Sequence, residues 1–397
     1  MRTLALGKGG LNKLRAHQKE LKAQDLEDSI KSIPPGEWCV LKPHGSDEVF
    51  MAFINAMIEE KFSNIHVVEK LNSSDVDKFS VEAFIKNQIT QAYEKRLRFK
   101  GYQNGARIFY GGSDGLPGLI IDHFKNATII QINTAGVDRY REMIKAHVQE
   151  MVRGACYLLD NEKYREKEFL PTYEKASLPN LMVEENGLHY ELRSEVIQKV
   201  GFYFDHRENR FQLTQLLGRL AKLPERGVDL FSYVGAWGMS ALKSGVGHVD
   251  FVDQGDFDQE VKRGLELNSV SHRGTFTRSD VFKFLEDRVN KGMKFDLILC
   301  DPPAFAKSAL QKPQALEGYS KLHRRVLKSA APGALLAFSS CTQYVSHEEF
   351  QKNISDAALK ENKKLQLIYS GIQGWDHPVT SQLDRANYIK SYFYILE

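Results

Sequence analysis

The chain has 397 residues, of which 42% are hydrophobic and 26% charged, with a formal net charge of +3. That length exceeds what one hydrophobic core usually serves, so two or three domains are expected. No apolar run is long enough to span a bilayer. The N-terminus has no continuous apolar core of the secretory kind, and Cys39, Cys156, Cys300 and Cys341 are scattered without metal-type pairing. A disulfide framework and a zinc site are therefore disfavoured, no metal ligands are assigned, and a reduced cytoplasm fits best.

The first predicted elements, over residues 1–74, form a small β-rich module. A helical stretch from Leu11 to Ser29 precedes strands at Gly36–Lys42, Glu48–Ile54 and Asn64–Lys70, the first two joined by a Pro-His-Gly-Ser-Asp turn. Residues 75–185 make a second unit, with a helix from Val81 to Arg98 in which Phe84, Ile85, Ile89 and Tyr93 recur at helical spacing. A turn-rich hairpin over Ala106–Asp122, a strand from Ala127 to Asn133 and a helix from Arg139 to Val152 complete it. Two basic stretches stand out here. Arg2, Lys8, Lys13, Arg15, Lys19 and Lys22 face only Glu20, and Lys95-Arg-Leu-Arg-Phe-Lys100 has an aromatic inside it. Both fit a phosphate backbone, and both fit solvated helix faces.

From residue 186 to 397 the texture changes to alternating strands and helices. Strands are predicted at Gly227–Phe231, Val249–Asp253, Gly274–Asp280, Phe295–Cys300 and Ala334–Ser339. Helices are predicted at Ala236–Ser244, Gln259–Asn268, Val281–Asn290 and Leu316–Ala330, the last ended by Pro332-Gly333. This succession implies a doubly wound, mostly parallel sheet, whose ligands bind at the carboxyl ends of the strands.

Several chemistry-bearing residues fall at those ends. Gly235 lies in a loop between the first strand and its helix, where backbone can approach a ligand closely. The loop is not the dinucleotide fingerprint, which disfavours nicotinamide. Asp253 closes the next strand, where a carboxylate takes ribose hydroxyls, and Asp280 closes the third, where it can meet an adenine; each alone is also an ordinary turn residue. Asp301 ends the Phe295–Cys300 strand and is fixed by Pro302 and Pro303. Cys341 lies just past the neighbouring strand, so a thiol and a carboxylate share one rim, and such a thiol can attack an electron-poor carbon. Cys300, inside its strand, reads as core packing. Phe305 and Lys307 can stack on a base and contact phosphate, although Phe305 is equally a core residue. Tyr203, Asp205, Arg207 and Arg210 crowd into one segment, which reads as a lid over a cofactor or as a salt-bridge cluster.

Together, Gly201-Phe-Tyr-Phe-Asp-His-Arg-Glu-Asn-Arg210, Asp229-Leu-Phe-Ser-Tyr-Val-Gly235, Asp301-Pro-Pro-Ala-Phe-Ala-Lys-Ser308 and Ser340-Cys-Thr342 resemble the bacterial large-subunit ribosomal RNA cytosine-5 methyltransferases. Gly111–Asp122 and Asp376-His-Pro-Val379 are similar to that family's central and C-terminal signatures. The resemblance implies an α/β protein whose Rossmann-like, doubly wound class I methyltransferase domain (186–397) follows a PUA-like RNA-binding domain (1–74) and a small α/β central domain (75–185). It implies S-adenosylmethionine as cofactor, held by Tyr203, Asp205, Arg207, Phe231, Tyr233, Gly235, Asp253, Asp280 and Asp301. Cys341 would add to cytosine C6, Asp301 would serve N3, and Pro302, Pro303, Phe305 and Lys307 would line the base. Ribosomal RNA is the implied partner, no membrane is involved, and a homodimer is compatible with it.

Two other readings stay open. The same fold with Asp-Pro-Pro also serves methylation of guanine N7 or an exocyclic amine, which needs no thiol. A non-catalytic RNA-binding or ribosome-assembly factor would keep the fold for binding alone. The thiol beside Asp301 favours carbon methylation.

Overall fold

Central to the N-terminal half are the apolar strands Glu37–Pro43, Glu48–Ile54 and Ile65–Asn72, which pair antiparallel in sequence order. Arg2–Leu6 adds in parallel to the first, and Glu20–Leu21 pairs with the last, closing a five-stranded sheet. The computed structural model describes every residue except 60–61, 174–176, 198–200 and 380–386. The chain divides into two compact units, Met1–Pro179 and Asn180–Glu397. The helix expected from Leu11 to Ser29 is shorter, Lys8–Arg15. Leu21 is fully buried as part of an edge strand instead, and the Asp25 carboxylate accepts from both Lys13 Nζ and the Lys22 backbone. Strand pairing and burial of Leu21 outweigh the helical propensity of the flanking lysines.

The same unit contains a second sheet, in which Gly105–Tyr110, Leu119–Phe124 and Thr128–Ile132 run antiparallel and Cys156–Leu158 adds in parallel. Helices Val81–Leu97 and Arg141–Val152 accompany it. The Trp38 indole donates to the Gly136 carbonyl at 2.9 Å, tying the two sheets together. Arg96, from the second basic stretch, is turned inward and grips Asp114 with two bonds of 2.9 and 2.6 Å, while Arg107 grips Asp122. Two acids of the Gly111–Asp122 signature therefore hold arginines. Lys95, Arg98 and Lys100 remain exposed.

In the C-terminal unit a short antiparallel hairpin, Leu181–Glu185 and Leu188–Leu192, precedes the main sheet. That sheet comprises β1 (Arg226–Leu230), β2 (His248–Asp253), β3 (Gly274–Arg278), β4 (Phe295–Cys300), β5 (Ala330–Ser340), β6 (Leu365–Gly371) and β7 (Lys390–Leu396). Their spatial order is β3-β2-β1-β4-β5-β7-β6, with β1 to β5 parallel and β7 antiparallel to both neighbours. The order reverses at β1, which makes the β1–β4 edge the switch point where such sheets bind ligands. Val228, Leu230, Ile298, Cys300, Leu336 and Phe338 lie in the core beneath that edge.

The helix expected at Leu316–Ala330 runs from Lys312 to Ser329, with Pro313 in its first turn, where its missing N–H costs nothing. Pro332-Gly333 does not separate helix from strand as expected. Phe295 pairs with Ala330 and Leu297 with Leu335, so the register shifts and both residues bulge out of the β4–β5 ladder. The last two strands and the helix His347–Lys360 were not anticipated.

Candidate active site

The loop after β1 has an unusual backbone. Phe231 and Tyr233 both take positive φ, 62° and 49°, and Gly235 follows at 82°. For aromatic side chains that region is strained, and such strain persists where the surroundings over-determine it. The surroundings are visible. Asp253 at the end of β2 accepts from the Tyr233 and Gly255 backbone N–H groups at 2.9 and 2.7 Å. A Cβ on Gly235 would stand 2.8 Å from the Phe251 ring, and Gly238 is tighter still. Within the loop, Ser232 Oγ is buried and has no hydrogen-bond partner among the described residues. Asp280 caps the helix Val281–Asn290 through the Lys283 N–H and accepts from Gln254.

Asp301 follows β4 directly. Its Oδ2 accepts from Trp237 Nε1 at 3.0 Å, and His206 Nε2 stands 3.4 Å from its Oδ1. The Asn209 amide donates to His206 Nδ1 and to the Ile372 carbonyl, so in the neutral ring the proton sits on Nε2, facing the carboxylate. Burial disfavours the charged imidazole, but the Asp301 and Asp205 carboxylates outweigh it and raise its pKa. Asp229 is buried at the end of β1 and takes one bond from the Gly238 N–H. Burial, reinforced by Asp301 and Asp253, pushes its carboxyl well above the usual range.

Cys341 follows β5, the neighbour of β4, so the expected thiol and carboxylate do lie on adjacent strand ends. Cys39, Cys156 and Cys300 are buried, whereas Cys341 is partly exposed. Burial, then the Asp301 and Asp205 carboxylates, push its thiol up to about 12, and Lys390 pulls the other way.

The segment around residue 205 is less free than a lid. Asp205 accepts from Tyr388 Oη at 2.8 Å, and its carbonyl accepts from the Gly374 N–H. Arg207 lies between Glu185 and Asp376 and over the Trp375 ring, 4.6 Å from its centroid. Arg210 makes two bonds to Glu185. The Asp376–Val379 signature thus clamps this segment. Tyr203 stays half exposed, edge-on to Tyr233. Beyond Asp301, Pro302 is buried and Pro303 and Lys307 are exposed. Phe305 stacks on Tyr319 with ring centroids 4.6 Å apart and packs against the core, which takes up one of its two faces.

Comparisons with known proteins give the family and the fold. The chain is 32% identical to the ribosomal RNA large subunit methyltransferase I of Yersinia pseudotuberculosis over 78% of its own length and 80% of the relative's. The Yersinia pestis protein of the same name gives the same figures. The chain belongs to the ribosomal RNA large subunit methyltransferase I family. No protein-family model matches it. Among solved structures, a Streptococcus mutans protein assigned as a SAM-dependent methyltransferase superposes with a TM-score of 0.77 at 18% identity, covering 100% of both chains. A second protein assigned as a methyltransferase and solved with SAH gives 0.78 at 18%, again over 100% of both. At that identity the likeness is one of fold, that of the class I methyltransferases.

The sequence alone does not single out His206 and Trp237, which the fold brings to Asp301, or Lys390, which it brings to the turn after Cys341. His206 lies in the Gly201–Arg210 motif and Trp237 in the helix expected after Gly235, but nothing local says that they turn towards Asp301. Lys390 lies on a strand that was not assigned.

Proposed function

We propose that this chain transfers a methyl group from S-adenosylmethionine to C5 of a cytosine in large-subunit ribosomal RNA, through a covalent bond between Cys341 and cytosine C6. Family membership supports the RNA substrate, and the class I fold supports the cofactor. The observation that carries the choice of atom is the partly exposed Cys341 on the strand end beside Asp301.

The residues of the β1 and β2 ends fit the cofactor. The unpartnered Ser232 Oγ lies in a loop of left-handed residues, and both oxygens of Asp253 are aimed by backbone N–H groups. Gly235 would lie against the cofactor, Asp253 on its ribose and Asp280 near its adenine, with Phe231, Tyr233 and Tyr203 around them. Asp205 and Arg207 would stand at the methionine end. When bound, the cofactor supplies a methyl carbon made electrophilic by its sulfonium.

The chain's own groups do the rest. The Cys341 thiolate adds its electron pair to C6, and the C5–C6 π electrons move onto the ring. Asp301 serves N3, where it moves a proton, with its plane set by Trp237 and His206. C5, now electron-rich, takes the methyl group. Removal of the C5 proton by a base then returns the electrons, and the sulfur leaves C6. A base inside a helix must first be flipped out. The exposed Lys95, Arg98 and Lys100, and the β-rich module over residues 1–74 read as a PUA-like domain, would hold RNA backbone, with residues 75–185 as the central domain.

Incubation with labelled S-adenosylmethionine and large-subunit RNA, followed by digestion to nucleosides, tests the reading. Label is expected in 5-methylcytidine and is lost in Cys341→Ala. Label in 7-methylguanosine, or undiminished transfer in Cys341→Ala, overturns the thiol mechanism. No binding of S-adenosylmethionine favours a scaffold.

A further inference from the structure

Lys390 opens β7 and is buried, 1% exposed. A buried lysine normally finds a carboxylate, because an unpaired ammonium in the interior is costly. Among the described residues Lys390 has no such partner. Its Nζ instead donates to two backbone carbonyls, Thr342 at 2.5 Å and Tyr388 at 2.9 Å. Thr342 is the residue after Cys341, and the β5–β7 register pairs Lys390 with Ser340, the residue before it. The amine is thus fastened to the turn that carries the thiol.

We infer that Lys390 is a positioning residue whose ammonium, held on the Thr342 carbonyl, supplies the positive charge that lets Cys341 ionise in a rim otherwise lined by carboxylates. This rests on Cys341 being the nucleophile. The proton of the thiol leaves to water, the ammonium keeps its own, and the sulfur gains the electron pair with which it attacks C6.

The groups around the pair set the balance. Asp301 beyond β4 and Asp205 on the preceding turn both oppose the thiolate. Tyr203 and Tyr319 feel the same sulfur. From the helix Ser346 caps, Glu349 stabilises the Lys390 ammonium, while His347 has its own pKa lowered by burial and by Lys390. Burial brings Lys390 down to about 8, with Cys341 and Glu349 opposing that fall. Its charge is therefore present at neutral pH and fades as the solution turns alkaline.

The test is the alkylation rate of Cys341 by iodoacetamide in the full-length chain, read on the peptide that carries it, between about pH 6 and 10 where a thiol gains its reactivity. In Lys390→Met the rate near neutral pH is expected to fall about tenfold, one pKa unit. Lys390→Arg should restore it and hold it at higher pH than the native lysine does. If both variants fail to fold, the native profile still decides. A coupled lysine makes the logarithm of the rate climb less steeply through its own titration, and an uncoupled thiol climbs with unit slope. A Met variant that superimposes on the native chain, or unit slope throughout, overturns the inference. Methyl transfer by Cys341→Ala separates the two failures. If that variant is inactive while the Lys390→Met profile is unchanged, only Lys390 is misassigned. If it still methylates cytosine, the thiol mechanism falls and this inference with it.

Discussion

Buried charge is handled in two different ways in two regions of this chain. In the unit Met1–Pro179, each buried arginine meets a carboxylate. Arg96 holds Asp114, Arg141 holds Asp160, and Arg165 holds Asp138, each through two bonds. In the unit Asn180–Glu397, Arg210 and Arg207 are matched in the same way by Glu185 and Asp376, but among the described residues the strand-end rim has no such matching. Asp229 has one backbone donor, Lys390 has two carbonyls, and Asp301 has an indole and an imidazole. Matched pairs give up little when the structure is left alone, and they are inert. The mismatched rim leaves pKa values displaced, and displaced pKa values are what proton and thiol chemistry need.

The widest break in this comparison should come at Asp301. Asp301→Asn removes a proton-transfer group and should lower methyl transfer by roughly 10²–10⁴-fold. The same change removes a negative charge that opposes the Cys341 thiolate, so alkylation of Cys341 should become faster. Faster alkylation with slower methylation separates the acid from the nucleophile. Parallel loss of both would mean that Asp301 only holds the loop.

The matched side breaks through stability. Asp114→Asn leaves the Arg96 guanidinium buried without its counter-charge, and breaking such a pair costs about 3–5 kcal/mol. Urea denaturation monitored within the N-terminal unit reads this directly. Replacing both partners together, Arg96→Met with Asp114→Leu, should cost far less, because an apolar pair of similar volume often substitutes for a buried ion pair. Equal losses in the single and double variants would remove the distinction between the matched pairs and the rim.

At Lys390 the sign runs opposite to that of a stabilising pair. Its folded pKa, about 8, lies below the ordinary 10.5. Between those values the unfolded chain holds a proton that the folded chain lacks, so stability rises with pH across that window. Comparing native chain with Lys390→Met cancels the contributions of the other groups. The native chain should gain up to about 3 kcal/mol relative to the variant between those two pH values. Thermal midpoints that track each other across the window would place the lysine outside the mismatched rim.

Much of this was legible in the sequence, and the reasons differ from part to part. The β4 strand and the parallel sheet were readable because buried parallel strands are continuous apolar runs, and Phe295–Cys300 is one. Asp301 and Cys341 were readable because strand order turns a sequence position into a place on the rim. Arg96 was read as part of a basic surface, because a linear run does not reveal which face of a helix turns inward. The order β5-β7-β6 and the Ser340–Lys390 pairing are long-range, and no local pattern announces them. His206 was hidden for a related reason. Its importance comes from Asp301, far along the chain, and from Asn209, which sets the ring.

The smallest effect is expected at the other cysteine of the rim. Cys300 immediately precedes Asp301, yet its side chain lies in the core with Leu230, Ile298 and Phe338. Burial, followed by Asp301 and Asp229, pushes its thiol well above the ordinary value, so it stays protonated and out of reach of reagent. Cys300→Ala removes one sulfur from a packed interior, a loss on the order of 1 kcal/mol. Methyl transfer should be unchanged, and iodoacetamide should label the folded native chain at Cys341 and not at Cys300. Proximity to the carboxylate in sequence would then count for nothing against exposure and charge. A Cys300→Ala variant that loses transfer while keeping its thermal midpoint would reverse the two roles.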